Sequence, residues 1–296
     1  MKFGVNWCYW QNVWNFSVDD YIKIIGRLAD CGFDVLELNA DHLYKMSDEE
    51  IARLKDEGDN RGIEFSSNSG PAKKYDLAST DENICKAGIE YFHTIFEKMN
   101  KIGSKVLAGA IYSYWPTDYE GWDEKENEWY RSIESLKEVG KDAQDHDIVI
   151  ALEILNRNES YLLNDHIEGL RFIDEIGNKN VQILLDTYHM NIEEDDMVDA
   201  ILDVGKAERL AHVHVGENNR KLPGMNNSLD WPAIGKALRE VNYDKYIVME
   251  PFLLQGGSIG HDCRVFRDMS GGADEERRTE LIRNSLKFLK MCCLGV

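Results

Sequence analysis

Short apolar runs alternate with helix-period stretches along the whole chain. Residues 3–9 form the first run. The stretch 18–31 is amphipathic, with Ser17 placed to cap it and Gly32 to stop it. Residues 33–38 predict a second strand. Ser47-Asp-Glu-Glu50 opens the next helix with a capping-box pattern, and Gly62 closes it. The order continues as a strand at 63–67, a helix at 81–102 ending at Gly103, and a strand at 106–110. After the aromatic loop Tyr112-Ser-Tyr-Trp-Pro-Thr-Asp-Tyr119 comes a helix at 125–145. Later strands end at Glu153, Asp186, His214 and Glu250. Helices are expected at 165–176, 195–205, from Trp231-Pro232 onward, and at 274–291. These are eight strand–helix units, the number that closes a parallel (β/α)8 TIM barrel, an α/β fold read here as a single domain over 1–296. An open doubly wound sheet is the alternative, but no G-x-G-x-x-G follows the first strand.

The last four strands share a feature. Each apolar run ends on a group that can bind a metal: Val149-Ile-Ala-Leu-Glu153, Ile183-Leu-Leu-Asp186, Leu210-Ala-His-Val-His214 and Tyr246-Ile-Val-Met-Glu250. These ends are 33, 28 and 36 residues apart, one strand–helix unit each. In a barrel the carboxyl ends of the strands share one rim, where active sites lie. Two Glu, one Asp and one His make an oxygen-rich set that suits Mn²⁺, Mg²⁺ or Co²⁺ rather than a structural zinc. Taken singly, a strand-end carboxylate often caps the following helix; four in successive units favour a metal site. His212 and His214 lie on one strand face by period-two alternation, and either could be the ligand. His214 is nearer the rim.

Composition narrows the partners. The net charge is −20 with no basic stripe, which argues against nucleic acid. No run is long and apolar enough for a membrane span, and the N-terminus reads as a strand rather than a signal peptide. The six cysteines form no CxxC pair or regular framework, so free thiols and a cytoplasmic location are expected.

The motifs Glu153-Ile-Leu-Asn-Arg-Asn-Glu159, Leu185-Asp-Thr-Tyr-His-Met-Asn-Ile-Glu-Glu194, His212-Val-His-Val-Gly-Glu-Asn-Asn-Arg220 and Met249-Glu-Pro-Phe252 resemble those of the ketose 3-epimerases, the D-tagatose and D-psicose (D-allulose) 3-epimerases among the xylose isomerase-like barrels. The resemblance extends to Tyr112-Ser-Tyr-Trp-Pro116, Gly256-Gly257 and Arg267-Asp-Met-Ser-Gly-Gly272, and so over nearly the whole chain. It implies one divalent metal per subunit, Mn²⁺ or Co²⁺ with Mg²⁺ as a further option, held by Glu153, Asp186, His214 and Glu250. It also settles the histidine, since the family's ligand lies six residues before the motif Arg, here Arg220. It implies that Glu159, His189 and Arg220 hold the O1–O3 end of a ketose and that Trp115 lines the pocket. A homodimer or homotetramer is implied as well.

The implied reaction is epimerisation of free ketohexoses at C3, of the D-fructose/D-psicose and D-tagatose/D-sorbose type. Chemically, a cation at O2 and O3 acidifies the C3 proton, and two carboxylates on opposite faces of a planar cis-enediolate remove and return it. Glu153 and Glu250 are the candidates. Competing readings are an aldose–ketose isomerase working between C1 and C2, a metal-dependent nucleic acid repair enzyme, which would need more His ligands and a basic face, and a non-catalytic sugar-binding barrel. Some positions depart from the family pattern: Asn6-Trp7 where two tyrosines are common, Ser66-Ser-Asn-Ser69, and 222–228, which lacks a basic Gly-Lys-Gly. These are expected to alter the pocket away from C3.

Overall fold

The computed structural model describes residues 1–119 and 122–295. Its eight strands are β1 (Lys2–Asn6), β2 (Val35–Asn39), β3 (Glu64–Asn68), β4 (Val106–Gly109), β5 (Val149–Glu153), β6 (Val181–Asp186), β7 (Leu210–Val215) and β8 (Tyr246–Met249). They are parallel and pair in chain order, and β8 returns to β1, so the barrel is closed. The helices are α1 (Val18–Cys31), α2 (Ala40–Lys45), α3 (Asp48–Arg61), α4 (Glu82–Ile102), α5 (Lys125–Asp145), α6 (His166–Ile176), α7 (Thr187–Glu193), α8 (Met197–Lys206), α9 (Trp231–Glu240), α10 (Gly257–Asp262) and α11 (Glu275–Leu294).

Local chemistry explains the element ends. Ser17 and Ser47 each accept from the N3 backbone N–H, while Asp20 and Glu50 reach back to the cap N–H. α1 ends where Gly32 turns left-handed at φ 86°, a conformation that costs glycine little. The inner face of α1 buries Ile24, Ile25 and Leu28, each contributing roughly 1.5–3 kcal/mol of apolar burial. Inside the barrel Gly4 leaves no room for a side chain, since a Cβ there would stand 2.9 Å from the Val35 carbonyl oxygen.

Three differences from the sequence expectations bear on the site. The first strand stops at Asn6 rather than running to 9, because the Asn6 side chain accepts from the Cys8 N–H and turns Trp7–Trp10 into a 3-10 helix. The second strand runs to Asn39. The short helices α2 and α7 sit directly after β2 and β6, and α10 follows β8 across the loop 250–256; at six or seven residues they carry no full apolar period to read. Among the described residues no helix is long and apolar enough to cross a membrane.

Candidate active site

Glu153, Asp186, His214 and Glu250 come together at the carboxyl ends of β5–β8. All four are buried, and their ligand atoms lie within 4.8 Å of one another. The strand register aligns them, with Asp186 pairing directly with His214 across β6 and β7. Asp186 divides its carboxylate. Oδ1 caps α7 by accepting from the Tyr188 N–H at 2.8 Å, and Oδ2 turns into the cluster. Helix capping and a place in the cluster are therefore both true of Asp186.

His214 Nδ1 lies 3.4 Å from Glu153 Oε1 and 3.7 Å from Glu250 Oε2. Neither Nδ1 nor Glu153 Oε1 has a hydrogen-bond partner, although both are fully buried. Buried polar atoms without a partner are costly unless something fills the space between them. A divalent cation fits this donor set in charge and in ligand type. His212 lies one layer deeper, where both its ring nitrogens lack a well-aligned partner.

Burial pushes Glu153 up to about 7 against the pull of His214, and the neighbouring Glu250 and Asp186 push the same way. Burial raises Asp186 too, more than Arg220 lowers it. Glu250 is buried as well, but His214 and Arg220 outweigh burial and hold it below the ordinary range. Desolvation would lower His214, yet Glu37, Glu250 and Glu153 hold it well above the usual imidazole value.

Arg220 and His189 face the same cluster. Arg220 has left-handed backbone geometry at φ 63°, uncommon for a side-chain-bearing residue. Its Nη1 donates to Asp186 Oδ2 and Glu250 Oε2, both at 3.0 Å, and its Nη2 to Glu159 Oε1 at 3.2 Å. The guanidinium carbon lies 3.9 Å from the centre of the Tyr188 ring and 5.0 Å from that of Phe252. His189, on α7, accepts at Nδ1 from the Asn156 N–H at 3.0 Å. Desolvation, with Arg220 and His214 nearby, holds His189 well below its ordinary value; with Nδ1 accepting from a backbone N–H, the neutral ring carries its proton on Nε2, which also lies 3.2 Å from Arg220 Nη2. That N–H stands 3.7 Å from Glu153 Oε1 and 3.8 Å from Asp186 Oδ2.

Glu153 and Glu250 of the cluster, with Glu159, His189 and Arg220, line a cleft of about 680 Å³. Trp115 lines it, with its ring nearly perpendicular to that of Trp14 at 6.0 Å. Asn6, Trp7, Asn68 and Ser69 also line it, so these departures from the family pattern do reach the pocket. Ser66 and Ser67 do not. Ser66 donates to Glu37, and Ser67 bonds Ser104. The segment 222–228 also stays off the cleft wall, because buried Glu217 draws it away. Glu217 accepts from the Gly224 N–H (2.7 Å), the Ser228 N–H (2.9 Å) and hydroxyl (2.7 Å), and Trp231 Nε1 (3.0 Å). Fully engaged, it does not pair with Arg220.

Sequence reasoning missed Glu37 and Asn156, and it read Asn6 only as a change in the pocket away from C3, not as a donor to Glu250. Each had a faint signal. Glu37 is a carboxylate at an inward position of an otherwise apolar strand, Asn6 is the polar end of β1, and Asn156 is three residues past a candidate ligand.

A closed (β/α)8 barrel with carboxylates and one imidazole gathered on its carboxyl rim defines the class as a xylose isomerase-like TIM barrel, and the sequence profile of that family matches residues 25–290. The chain is 38% identical to a D-psicose 3-epimerase of Agrobacterium fabrum over 295 residues, the full length of both. It is 39% identical to one from Ruminiclostridium cellulolyticum over 288 residues, covering 97% of this chain and 96% of that one. A crystal structure of D-psicose 3-epimerase with D-tagatose from Clostridium cellulolyticum superposes with a TM-score of 0.95 at 38% identity, over 99% of each chain. The chain therefore belongs to the ketose 3-epimerases, carbohydrate epimerases of the xylose isomerase-like barrels.

Proposed function

We propose that this enzyme is a divalent-cation-dependent ketose 3-epimerase that interconverts free ketohexoses differing at C3, of the D-fructose/D-psicose and D-tagatose/D-sorbose type. The observation that carries this reading is the pairing of Glu153 and Glu250, which approach His214 Nδ1 from β5 and β8 at 3.4 and 3.7 Å. Glu153, Asp186, His214 and Glu250 would hold Mn²⁺ or Co²⁺, or Mg²⁺. When bound, the cation supplies positive charge that polarises the C2 carbonyl and acidifies the C3 proton.

The side chains do the rest. Glu153, at the end of β5, and Glu250, just past β8, act as the bases that remove the C3 proton on one face of a planar cis-enediolate and return one on the other. His189 Nε2–H and the Arg220 guanidinium are donors for the oxygens of C1–C3, where negative charge develops. Glu159 accepts from Arg220 and from a sugar hydroxyl. Trp115 offers an apolar wall to the ring or chain.

Proton exchange tests the reading. Metal-loaded enzyme is incubated in D₂O with D-fructose, D-psicose or D-tagatose and followed by NMR. Deuterium at C3 with a C3-epimeric product is the expected result. Deuterium at C1 with an aldose product would move the assignment to an aldose–ketose isomerase. Exchange with none of the three would sink the ketohexose reading.

Family membership also supports a homodimer or homotetramer, which would cover exposed apolar side chains such as Trp122, Tyr130 and Phe266. The free cysteines support a reducing, cytoplasmic setting.

A further inference from the structure

Below the candidate cation site lies a second layer of buried polar side chains that the proposed reaction does not use. Its centre is Glu37, on the inward face of β2 and fully buried. Glu37 Oε1 stands 2.8 Å from His214 Nε2, across the barrel from its own strand. It also accepts from Asn6 Nδ2 at 3.2 Å. The other oxygen, Oε2, accepts from Ser66 Oγ at 2.9 Å and lies 3.0 Å from His212 Nε2.

Asn6 and Ser66 both present donors to Glu37. Asn6 has no freedom to flip, because its Oδ1 accepts from the Cys8 N–H at 3.2 Å, which leaves Nδ2 facing Glu37 and Glu250. Ser66 has its hydroxyl on Oε2. A carboxylate accepts from all of them, and it has no proton to give to His214 Nε2. The proton on the His214–Glu37 contact therefore belongs to the imidazole. A neutral imidazole that keeps its proton on Nε2 has a bare Nδ1, and Nδ1 is the nitrogen that faces Glu153 and Glu250.

We propose that Glu37 is a positioning residue for the cation site: it keeps the His214 proton on Nε2 so that Nδ1 is free to coordinate, and through Asn6 it orients Glu250. Asn6 Nδ2 donates to Glu37 Oε1 and to Glu250 Oε1, both at 3.2 Å, so two of the four ligands lean on the same buried carboxylate. An outer carboxylate that orients a ligating histidine commonly accounts for about 10–100-fold in metal affinity. The inference rests on the reading of Glu153, Asp186, His214 and Glu250 as the cation site.

The discriminating substitution is Glu37→Gln. It keeps the shape but must place an NH₂ group against the donors of Asn6, Ser66 or His214. Wild type and variant are stripped with a chelator, checked for fold by circular dichroism, and titrated calorimetrically with MnCl₂ in the absence of sugar. The expected result is a folded variant whose Mn²⁺ affinity is about 10–100-fold lower. A folded variant that binds Mn²⁺ within twofold of wild type overturns the proposal. Wild type that binds no Mn²⁺ overturns the underlying cation site, a different and recognisable failure.

A second measurement needs no variant at position 37. In Mg²⁺-loaded, ¹⁵N-histidine-labelled wild type, with His214 assigned by difference from His214→Gln, long-range ¹H–¹⁵N spectra report the tautomer. A proton on Nε2 supports the assignment, and a proton on Nδ1 overturns it even if Glu37→Gln does not fold.

Discussion

The backbone N–H of Asn156 donates to His189 Nδ1 at 3.0 Å, and the Asn156 side-chain amide approaches the same nitrogen at 2.7 Å. Because Nδ1 is an acceptor, the neutral ring presents Nε2–H to the cleft. His189→Phe keeps the ring and removes that donor. The prediction is a loss of about 100-fold in kcat/KM on D-fructose, or about 2.7 kcal/mol of transition-state stabilisation. Asn156→Leu keeps the backbone donor and removes only the side-chain amide, so it should cost less, about tenfold. Activity of His189→Phe within twofold of wild type would remove His189 from the site.

The barrel and the four-residue cluster were legible because they rest on periodic signals. Apolar runs ending on Glu153, Asp186, His214 and Glu250 at one-unit spacing need only the topology to bring them together. Glu37 was hidden because it lies inside an apolar strand instead of at its end, and its partner His214 is 177 residues away. Arg220 and Glu217 show a second limit. Both are charged residues in one short loop, and only the family resemblance, not their order, pointed to Arg220 as the one that enters the cleft. Glu217 is drawn to the 222–228 segment by backbone N–H groups that the sequence does not mark, leaving Arg220 for Asp186, Glu159 and Glu250.

Glu217 should therefore matter to stability and to the loop rather than to chemistry. Glu217→Ala strands several donors at once: two N–H groups, one hydroxyl and the Trp231 indole N–H. A destabilisation of about 3 kcal/mol is predicted, read as a lower midpoint in urea unfolding of the chelated protein. An unchanged midpoint would show that water replaces the carboxylate without loss.

Cation uptake should depend on pH. In the metal-free protein burial pushes Glu153 up to about 7 despite His214, and a cation needs the bare carboxylate. Proton and cation therefore compete below that value, so Mn²⁺ affinity should fall as pH drops from 7 and flatten above it as far as Glu153 is concerned. His214, held protonated by Glu37, Glu250 and Glu153 against the effect of burial, surrenders a second proton, which makes the dependence steeper below about 7 than above. Calorimetry at pH 6 in buffers of different ionisation enthalpy should count more than one proton released per Mn²⁺; release of none would contradict this account. Chelation should abolish turnover, and Mn²⁺ or Co²⁺ should restore it.

Arg220 is tied to geometry as much as to charge. Its two terminal nitrogens serve three carboxylates, and its guanidinium carbon lies 3.9 Å from the Tyr188 ring centre and 5.0 Å from that of Phe252. Lysine keeps the charge but has neither the fork nor the flat face. Arg220→Lys is predicted to lose about 100-fold in kcat/KM, with most of the loss in kcat if the guanidinium acts on charge that develops during proton transfer. A loss confined to KM would assign Arg220 to ground-state binding alone.

The sharpest test of Glu153 and Glu250 lies in the difference between them. Both are buried in one cluster, yet burial drives Glu153 up while His214 and Arg220 hold Glu250 down. If each serves one face of C3, Glu153→Gln and Glu250→Gln should each lower epimerisation by about 1,000-fold or more, because inversion needs both bases. Solvent exchange should behave differently. At saturating Mn²⁺ each variant retains one base, so it should still exchange the C3 proton of one epimer into D₂O and not that of the other, and the two variants should differ in which epimer they exchange. Equal loss of exchange from D-fructose and D-psicose in both variants would mean that the carboxylates act only as ligands. Near-normal epimerisation by either variant would sink the two-base mechanism.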